Sequence, residues 1–122
     1  MKIIIGINTY HADSSACIIV NGKLIAAIEE ERINRKKHYS GYPIESIKEC
    51  LRIADKKDSE ITDIAFNTRS SSNLLPKGIF FLKNFSFKKV LLSENFKNKI
   101  NAKGLLLNKF TLNKNVKFHY IE

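Results

Sequence analysis

The sequence of this 122-residue chain predicts a mixed α/β fold, and three observations support the prediction. First, Asn21-Gly22 separates two apolar segments, which is the strongest short-range signal for a β-hairpin and places one at Ser15–Ile28. Second, apolar residues between Ile44 and Ala54 recur at the spacing of one helical face. Third, the β-branched runs before and after these segments are typical of strands. The resulting β-β-β-α-β order indicates a mixed sheet with a helix packed on one face.

Each predicted element has its own local signal. The helix begins at Pro43, which suits a first helical turn, and its apolar face is formed by Ile44, Ile47, Leu51 and Ala54. The strands are predicted where apolar and β-branched residues cluster. In chain order, the remaining predictions are strands at Lys2–Ile7, Ile18–Val20, Lys23–Ile28 and Ile61–Phe66, one or two helices in Val90–Phe110 broken at Gly104, and an edge or emerging strand at Val116–Ile121.

The composition is that of an ordinary globular protein, with 43% hydrophobic and 27% charged residues. The first residues lack the cationic lead, long apolar stretch and cleavage site of a secretory signal. No apolar run approaches the roughly 18–20 residues that a membrane span needs. We therefore expect a cytoplasmic protein without a membrane partner. Cys17 and Cys50 lie in apolar contexts and are predicted to be free, buried thiols.

The net charge of +9 is concentrated in the second half of the chain. From Ser71 onward there are 10 basic and 2 acidic residues, a net charge of +8. Such a surface attracts anions, either nucleic acid or phosphorylated substrates. All ten basic residues are Lys, however, and the absence of Arg argues against nucleic acid, because bidentate recognition of phosphates and bases usually uses Arg. A drift in composition toward Lys and Asn explains the charge without any partner.

Two short segments carry the candidate chemical groups. The turn after the first predicted strand contains His11 and Asp13, an imidazole that can transfer a proton near neutral pH and a carboxylate that can orient it. A His-x-Asp turn is more often a local hydrogen-bonded loop, so this pair alone does not identify a site. A second segment, Arg32–His38, contains five basic or titratable groups. It suits either an anion site or a solvated face that neutralises Glu29–Glu31.

The combination of these motifs is more specific than any one of them. The string GINTYHADSSACIIVNGKLIAAIEEERINRKKHYSGYPIESIKECL, residues 6–51, resembles the amino-terminal signature of the carbamoyltransferases that act in antibiotic biosynthesis and on nodulation factors. That family has a glycine-containing first strand, a turn with His, Asp, Ser and Ala, a hairpin with Gly at its tip, the segments E-E-E-R and R-x-K-H, a Pro, and a helix with Cys-Leu. The matching residues are Gly6, His11, Asp13, Ser14, Gly22, Glu29–Arg32, Arg35, Lys37, His38, Pro43 and Cys50-Leu51.

The resemblance implies an enzyme larger than this chain. Its amino-terminal transferase domain would be Kae1-like, with the actin/sugar-kinase/Hsp70-like fold, and a YrdC-like domain would make carbamoyl-adenylate. The enzyme would transfer a carbamoyl group from carbamoyl phosphate, through that adenylate, to a hydroxyl of a small-molecule or glycan acceptor. It would use ATP and a divalent, iron-type metal. Residues 1–122 would be the truncated amino-terminal part of the transferase domain, without an internal boundary and inactive alone.

The resemblance also implies roles for individual residues. His11 corresponds to the general base that takes the proton of the acceptor hydroxyl, and Lys37 corresponds to the lysine that contacts the carbamoyl-adenylate. Asp13 and Tyr10 would shape and bind the acceptor pocket. Supporting charges are expected from Arg32, Arg35 and His38.

Two features of the sequence depart from the family pattern. In many members His directly precedes Asp, whereas Ala12 stands between His11 and Asp13 here. The family's metal site uses a histidine-rich motif just downstream of the strand that matches Val116–Glu122. Its ligands are therefore expected outside this chain, and His119 is not counted among them.

Two other classes of protein remain open at this point. One is another member of the same superfamily, such as a Kae1-like tRNA-modification protein or a sugar kinase. The other is a noncatalytic fragment or binding module. The acceptor substrate and the oligomeric state do not follow from the sequence.

Overall fold

The computed structural model describes residues 1–10, 12–67 and 101–121 of the chain. Its five strands are β1 (Ile3–Asn8), β2 (Ser15–Val20), β3 (Lys23–Glu29), β4 (Asp63–Phe66) and β5 (Lys117–Tyr120). The helices within these ranges are α1 (Glu30–Asn34), α2 (Ile44–Ile53) and α3 (Ala102–Lys109), and a 3-10 turn spans Asp58–Glu60. None of the described helices is long and apolar enough to cross a membrane.

The five strands form one mixed sheet in the order β3-β2-β1-β4-β5. The hairpin strands β2 and β3 are antiparallel, and β2 is also antiparallel to β1. Strand β4 runs parallel to β1, and β5 runs parallel to β4. The predicted hairpin turn is confirmed, because Asn21 and Gly22 both have positive φ, 50° and 84°, as a type I′ turn requires. The amino-terminal strand is therefore central, and the ends of β1 and β4 lie side by side.

The hydrophobic core lies between one face of the sheet and the helices α2 and α3. Alternate residues of β1 are buried on this face, as the period of a strand predicts. Helix α2 covers this face with Ile47 and Leu51 of the apolar stripe predicted from the sequence, together with the buried Cys50. Burying one large aliphatic side chain contributes about 1.5–3 kcal/mol, so this layer holds α2 on the sheet. On the opposite face, a Cβ at Gly6 would lie 2.7 Å from Cys17 Sγ, which favours glycine in the central strand.

A buried carboxylate fixes the amino-terminal end of α2. Glu30 is only 3% exposed, and its two carboxylate oxygens accept hydrogen bonds from the backbone N–H groups of Glu45 (3.2 Å) and Ser46 (2.7 Å). The backbone N–H of Glu30 donates to Ser14 O at 2.8 Å. Glu30 therefore satisfies two of the free amides that begin a helix, and it connects α1 to both α2 and the turn before β2.

Two predictions about secondary structure are corrected. Helix α1 was not predicted; it forms where the acidic stretch leaves the sheet, and its first residue is the buried Glu30. The break predicted at Gly104 is wrong, since α3 continues through it. Glycine lowers helix stability by about 1 kcal/mol, but a side chain here would collide with the Asn101 amide, and burial of Leu106 holds the helix. The rest of the predicted helical region, 90–100, lies outside the described residues.

The thiols of both cysteines are free, as predicted. Cys50 is fully buried, and its Sγ donates to Ala16 O at 3.6 Å. Burial, with a smaller contribution from Cys17, raises the pKa of the Cys50 thiol to about 11. Cys17 is only half-buried, because it lies on the sheet face opposite α2. Cys50 is therefore a packing residue rather than a reactive one.

Candidate functional site

The two motif segments found in the sequence lie against each other in space. The turn between β1 and β2 is bonded to the loop between α1 and α2 through Ser14, whose N–H donates to Tyr39 O at 2.9 Å. The hydroxyls of Ser14 and Thr9 both donate to Gly41 O, at 2.6 and 3.2 Å. Ser14 and Thr9 are buried, so these bonds are shielded from water. Backbone and hydroxyl groups thus hold the turn and the loop as one unit at the carboxyl end of β1.

Asp13 and His38 are in direct contact across these two segments. His38 Nδ1 lies 3.0 Å from Asp13 Oδ1, although 25 residues separate them in the chain. The backbone N–H of His38 donates to Glu31 Oε2 at 2.9 Å. Both Asp13 and His38 adopt left-handed backbone conformations, with φ of 62° and 53°. Such conformations are uncommon for residues other than glycine and often occur at functional positions.

His38 was predicted to be a supporting charge, whereas the structure places it in direct contact with the Asp13 carboxylate. The imidazole is oriented by a carboxylate, and the side chain remains 80% exposed. The sequence offered one usable signal for this pair: both residues sit in short polar turns that follow predicted elements. The contact between Asp13 and His38 could not be predicted from their spacing in the sequence, because it depends on how the hairpin and α1 fold back toward the β1–β2 turn.

Lys37 lies beside His38 in the same turn, and its side chain is exposed. Within the described part of the chain, Lys37 forms no side-chain ion pair, whereas Arg32 contacts Glu29 at 3.5 Å. Arg35 ends α1 in a left-handed conformation and is exposed. Lys37 is thus a cation available to an anionic ligand next to the Asp13–His38 contact.

Tyr10 lines a pocket of about 370 Å³ rather than the Asp13–His38 contact itself. Tyr39 and Tyr42 also line it, and the rings of Tyr10 and Tyr42 meet edge to face with centroids 6.3 Å apart. Burial, with a smaller contribution from Tyr39, raises the pKa of Tyr10 to about 12. Burial raises the pKa of Tyr42 further, and Tyr42 Oη has no hydrogen-bond partner among the described residues. Both phenols are therefore protonated donors at neutral pH.

His11 lies outside the described residues, and its predicted role as general base stays a prediction. Tyr10 and Asp13, which precede and follow it in the sequence, both have positive φ. Asn8 Nδ2 donates to Asp13 O at 3.1 Å and closes this turn.

A second, larger groove of about 650 Å³ opens on the sheet face opposite α2. It lies at the carboxyl ends of β1 and β4, where the Asn67 amide donates to the side-chain oxygen of Asn8. Glu29 and Arg32 line its rim, and Cys17 lies on its floor. The sequence pattern did not single out Asn67, which follows β4 and reaches β1 only because the two strands are parallel neighbours.

His119 belongs to a different contact at the edge of the sheet. Its Nε2 lies 2.8 Å from Asp63 Oδ1, and Thr62 Oγ1 donates to Asp63 Oδ2 at 2.8 Å. These two hydrogen bonds lower the pKa of the Asp63 carboxyl, and the bond to His119 has the larger effect. The contact joins β4 to β5 and is remote in sequence from the turn and loop of the candidate site.

Comparison with known proteins agrees with the resemblance in the sequence. A family model described as "Carbamoyltransferase N-terminus" matches residues 3–115. The chain belongs to the carbamoyltransferase amino-terminal family. The Nodulation protein NolNO of Sinorhizobium fredii is 44% identical over 59 residues, which cover 48% of this chain and 9% of that protein. An uncharacterized protein of Synechocystis is 39% identical over 66 residues, covering 54% of this chain and 11% of that protein.

The matched segment of this chain spans only about a tenth of the length of those two relatives. Among solved structures, YeaZ from Pseudomonas aeruginosa is similar with a TM-score of 0.43 and 15% identity, over 72% of this chain and 39% of that one. The α/β class with its opening hairpin sheet is confirmed by the observed five-stranded sheet. In this sheet β2 alone runs antiparallel to the other four described strands, the arrangement of the actin/sugar-kinase/Hsp70-like fold that was predicted.

Proposed function

We propose that this chain supplies the amino-terminal part of the transferase domain of an O-carbamoyltransferase, with residues 1–122 forming one unbroken segment of that domain. The observation that supports the proposal best is the meeting of the β1–β2 turn with the basic loop after α1, seen in the Asp13–His38 contact of 3.0 Å. Both segments belong to the region that the family model matches. A cationic loop beside a polar turn suits an enzyme that joins an anionic donor to a neutral acceptor.

The chemistry of the reaction assigns complementary tasks to these two segments. The acceptor hydroxyl oxygen forms a bond to the carbamoyl carbon, and the bond from that carbon to the adenylate phosphate oxygen breaks. The leaving group is AMP, whose negative charge Lys37 would stabilise. The hydroxyl proton passes to His11 as general base. The adenylate itself would form from carbamoyl phosphate and ATP, with release of phosphate and pyrophosphate, in a YrdC-like domain outside this chain.

Asp13 and Tyr10 would bind the acceptor. Tyr10 offers a phenol donor and a ring face in the tyrosine-lined pocket, which suits a ring that carries hydroxyl groups. Asp13 offers carboxylate oxygens next to the turn that contains His11, where an acceptor hydroxyl could donate to them. The pocket and the turn share the backbone of residues 39–41, so an acceptor in the pocket would lie close to the basic loop.

The residues described do not match the iron-type metal site that the resemblance implies. That site uses a histidine-rich motif, whereas the group of possible ligands here contains two carboxylates and one imidazole. We therefore assign no step of the carbamoyl transfer to a metal in this part of the chain.

The test is an assay of the complete polypeptide whose coding region contains this chain, read past the codon for Glu122. With ¹⁴C-carbamoyl phosphate and ATP, it should label a hydroxyl-bearing acceptor. His11→Ala and Lys37→Ala should lower the transfer by about 10²-fold or more, the usual contribution of a positioned base or charge. Lys36→Ala, the adjacent exposed lysine, should change it little.

Pyrophosphate release without acceptor separates the two half-reactions. The His11 and Lys37 variants should still make carbamoyl-adenylate, since that step belongs to the other domain. If the wild-type polypeptide neither releases pyrophosphate nor labels any acceptor, or if its coding region stops at Glu122, the catalytic proposal fails and a noncatalytic fragment or binding module remains.

A further inference from the structure

Asp13, Glu31 and His38 form a compact group of potential metal ligands. One ligand atom from each lies within 4.8 Å of the others. The residues come from three segments: the β1–β2 turn, helix α1 and the loop after α1. In residues 1–10, 12–67 and 101–121, this is the one group of three Asp, Glu, His or Cys side chains that meets this distance.

The distances in the group are close to those of a coordination sphere. Ligand atoms bound at about 2.0–2.2 Å from a first-row metal are at most about 4 Å apart. His38 Nδ1 and Asp13 Oδ1 are already 3.0 Å apart, and the Glu31 carboxylate is anchored 2.9 Å from the backbone nitrogen of His38. A contraction of about 1 Å by side-chain rotation is therefore enough to place all three ligand atoms around one cation.

The charge and the donor atoms suit a divalent transition metal. Two carboxylates contribute a charge of −2, which a divalent cation neutralises. A neutral imidazole with its proton on Nε2 presents the Nδ1 lone pair to the metal. Without a cation, an Nδ1–H on His38 would donate to the Asp13 carboxylate across the 3.0 Å contact, since an ionised carboxylate only accepts hydrogen bonds. Carboxylate oxygens with one imidazole nitrogen are suitable ligands for Mn²⁺, Fe²⁺ or Zn²⁺.

The group is also open to solvent. The side chain of His38 is 80% exposed and that of Asp13 is 48% exposed. A cation held by three protein ligands would keep positions for water or for an oxygen of a small molecule, as sites with three protein ligands do.

We propose that Asp13, Glu31 and His38 bind a divalent transition-metal cation at the junction of the β1–β2 turn and the loop after α1. This site differs in ligand set from the histidine-rich motif that the resemblance implies. The proposal requires only these three side chains and does not depend on the proposed carbamoyl transfer. A bound cation would crosslink these three segments.

The chain contains a matched internal control. His119 and Asp63 form a similar contact of 2.8 Å, but the second oxygen of Asp63 accepts a hydrogen bond from Thr62 rather than facing a third ligand. Two ligands hold a cation less well than three, so this pair should not contribute to binding.

The experiment is calorimetric titration of zinc chloride into the 122-residue chain, freed of metal with a chelator and carrying no polyhistidine tag. One cation should bind per chain. Asp13→Asn, Glu31→Gln and His38→Ala should each weaken binding by at least about tenfold. His119→Ala should leave the affinity unchanged.

A second measurement locates the cation without any substitution. Mn²⁺ should broaden the backbone amide NMR signals of Asp13, Glu31 and His38 before those around His119. Matching far-UV circular dichroism spectra will show that the variants remain folded, as expected because none of the three side chains belongs to the buried core. The proposal is overturned if the chain binds no Zn²⁺, if His38→Ala keeps full affinity, or if broadening centres elsewhere.

Discussion

The buried carboxylate of Glu30 makes a quantitative test of the architecture possible. It is 3% exposed and accepts two backbone N–H groups at the start of α2, at 3.2 and 2.7 Å. A hydrogen bond to a charged group contributes about 1.5–3 kcal/mol, and loss of a helix cap costs about 0.5–2 kcal/mol. Because the two amides would be left in a region closed to water, we expect Glu30→Ala to lower the free energy of unfolding by about 3 kcal/mol.

The assay is urea denaturation followed by far-UV circular dichroism. With a slope of about 2 kcal/mol per molar urea, a loss of about 3 kcal/mol lowers the midpoint by about 1.5 M. Glu30→Gln keeps the shape and one acceptor oxygen, so its loss should be smaller. Glu49→Ala is the matched control, since it removes a half-buried carboxylate of α2 that pairs with Arg52 and does not cap the helix, and it should change the midpoint least.

We expect Glu30→Ala to lower the urea midpoint most, Glu30→Gln to lower it less and Glu49→Ala to lower it least. If Glu30→Ala unfolds at the same urea concentration as Glu49→Ala, Glu30 does not cap α2 and the account of this junction is wrong. The same result would show that the buried contacts of Glu30 do not explain why α1 forms.

Three further predictions concern other described contacts. The pKa of the Asp63 carboxyl is lowered in the folded chain, so its carboxylate stabilises the fold above the unfolded pKa of about 4, and this stabilisation is lost as the pH falls. Asp63→Asn should therefore flatten the decline in melting temperature between about pH 5 and 3. An unchanged decline would refute the stabilising contact between Asp63 and His119. At pH 8 a thiol reagent should label Cys17 but leave Cys50, whose pKa is about 11, unmodified until the chain unfolds, and rapid labelling of both would contradict the packing described. Tyr42→Phe should keep or raise the melting temperature, because it removes a buried hydroxyl that has no hydrogen-bond partner among the described residues; a clear fall in the melting temperature would show that this hydroxyl is hydrogen-bonded.

The sequence predicted those parts of the fold that depend on local pattern. The Asn21-Gly22 turn is specified by the positive φ that its residues adopt easily, and the apolar stripe of α2 by helical spacing. Prediction from the sequence failed where a long-range contact determines the secondary structure. Helix α1 has only five residues, and its first, Glu30, is buried against an amide group 16 positions later. No local window contains that partner.

The same distinction applies to the candidate site. Residue type and family resemblance drew attention to Asp13 and Lys37, and both lie at the meeting point of the turn and loop. The partner of Asp13 was not predictable, because the hydrogen bond to His38 depends on the positive φ of both residues and on the path of α1. Tyr10 was predicted to bind an acceptor, and the structure adds the neighbouring tyrosine rings that form its pocket.

The most direct test of the central claim is an NMR titration of the ¹⁵N-labelled chain with a non-hydrolysable analogue of carbamoyl-adenylate. If the turn and the basic loop form one donor site, the amide signals of residues 8–14 and 35–41 should shift together with a single dissociation constant. Lys37→Ala should weaken that response at least tenfold, while Lys36→Ala should not. Shifts confined to one segment, or shifts that Lys37→Ala leaves intact, would contradict the account.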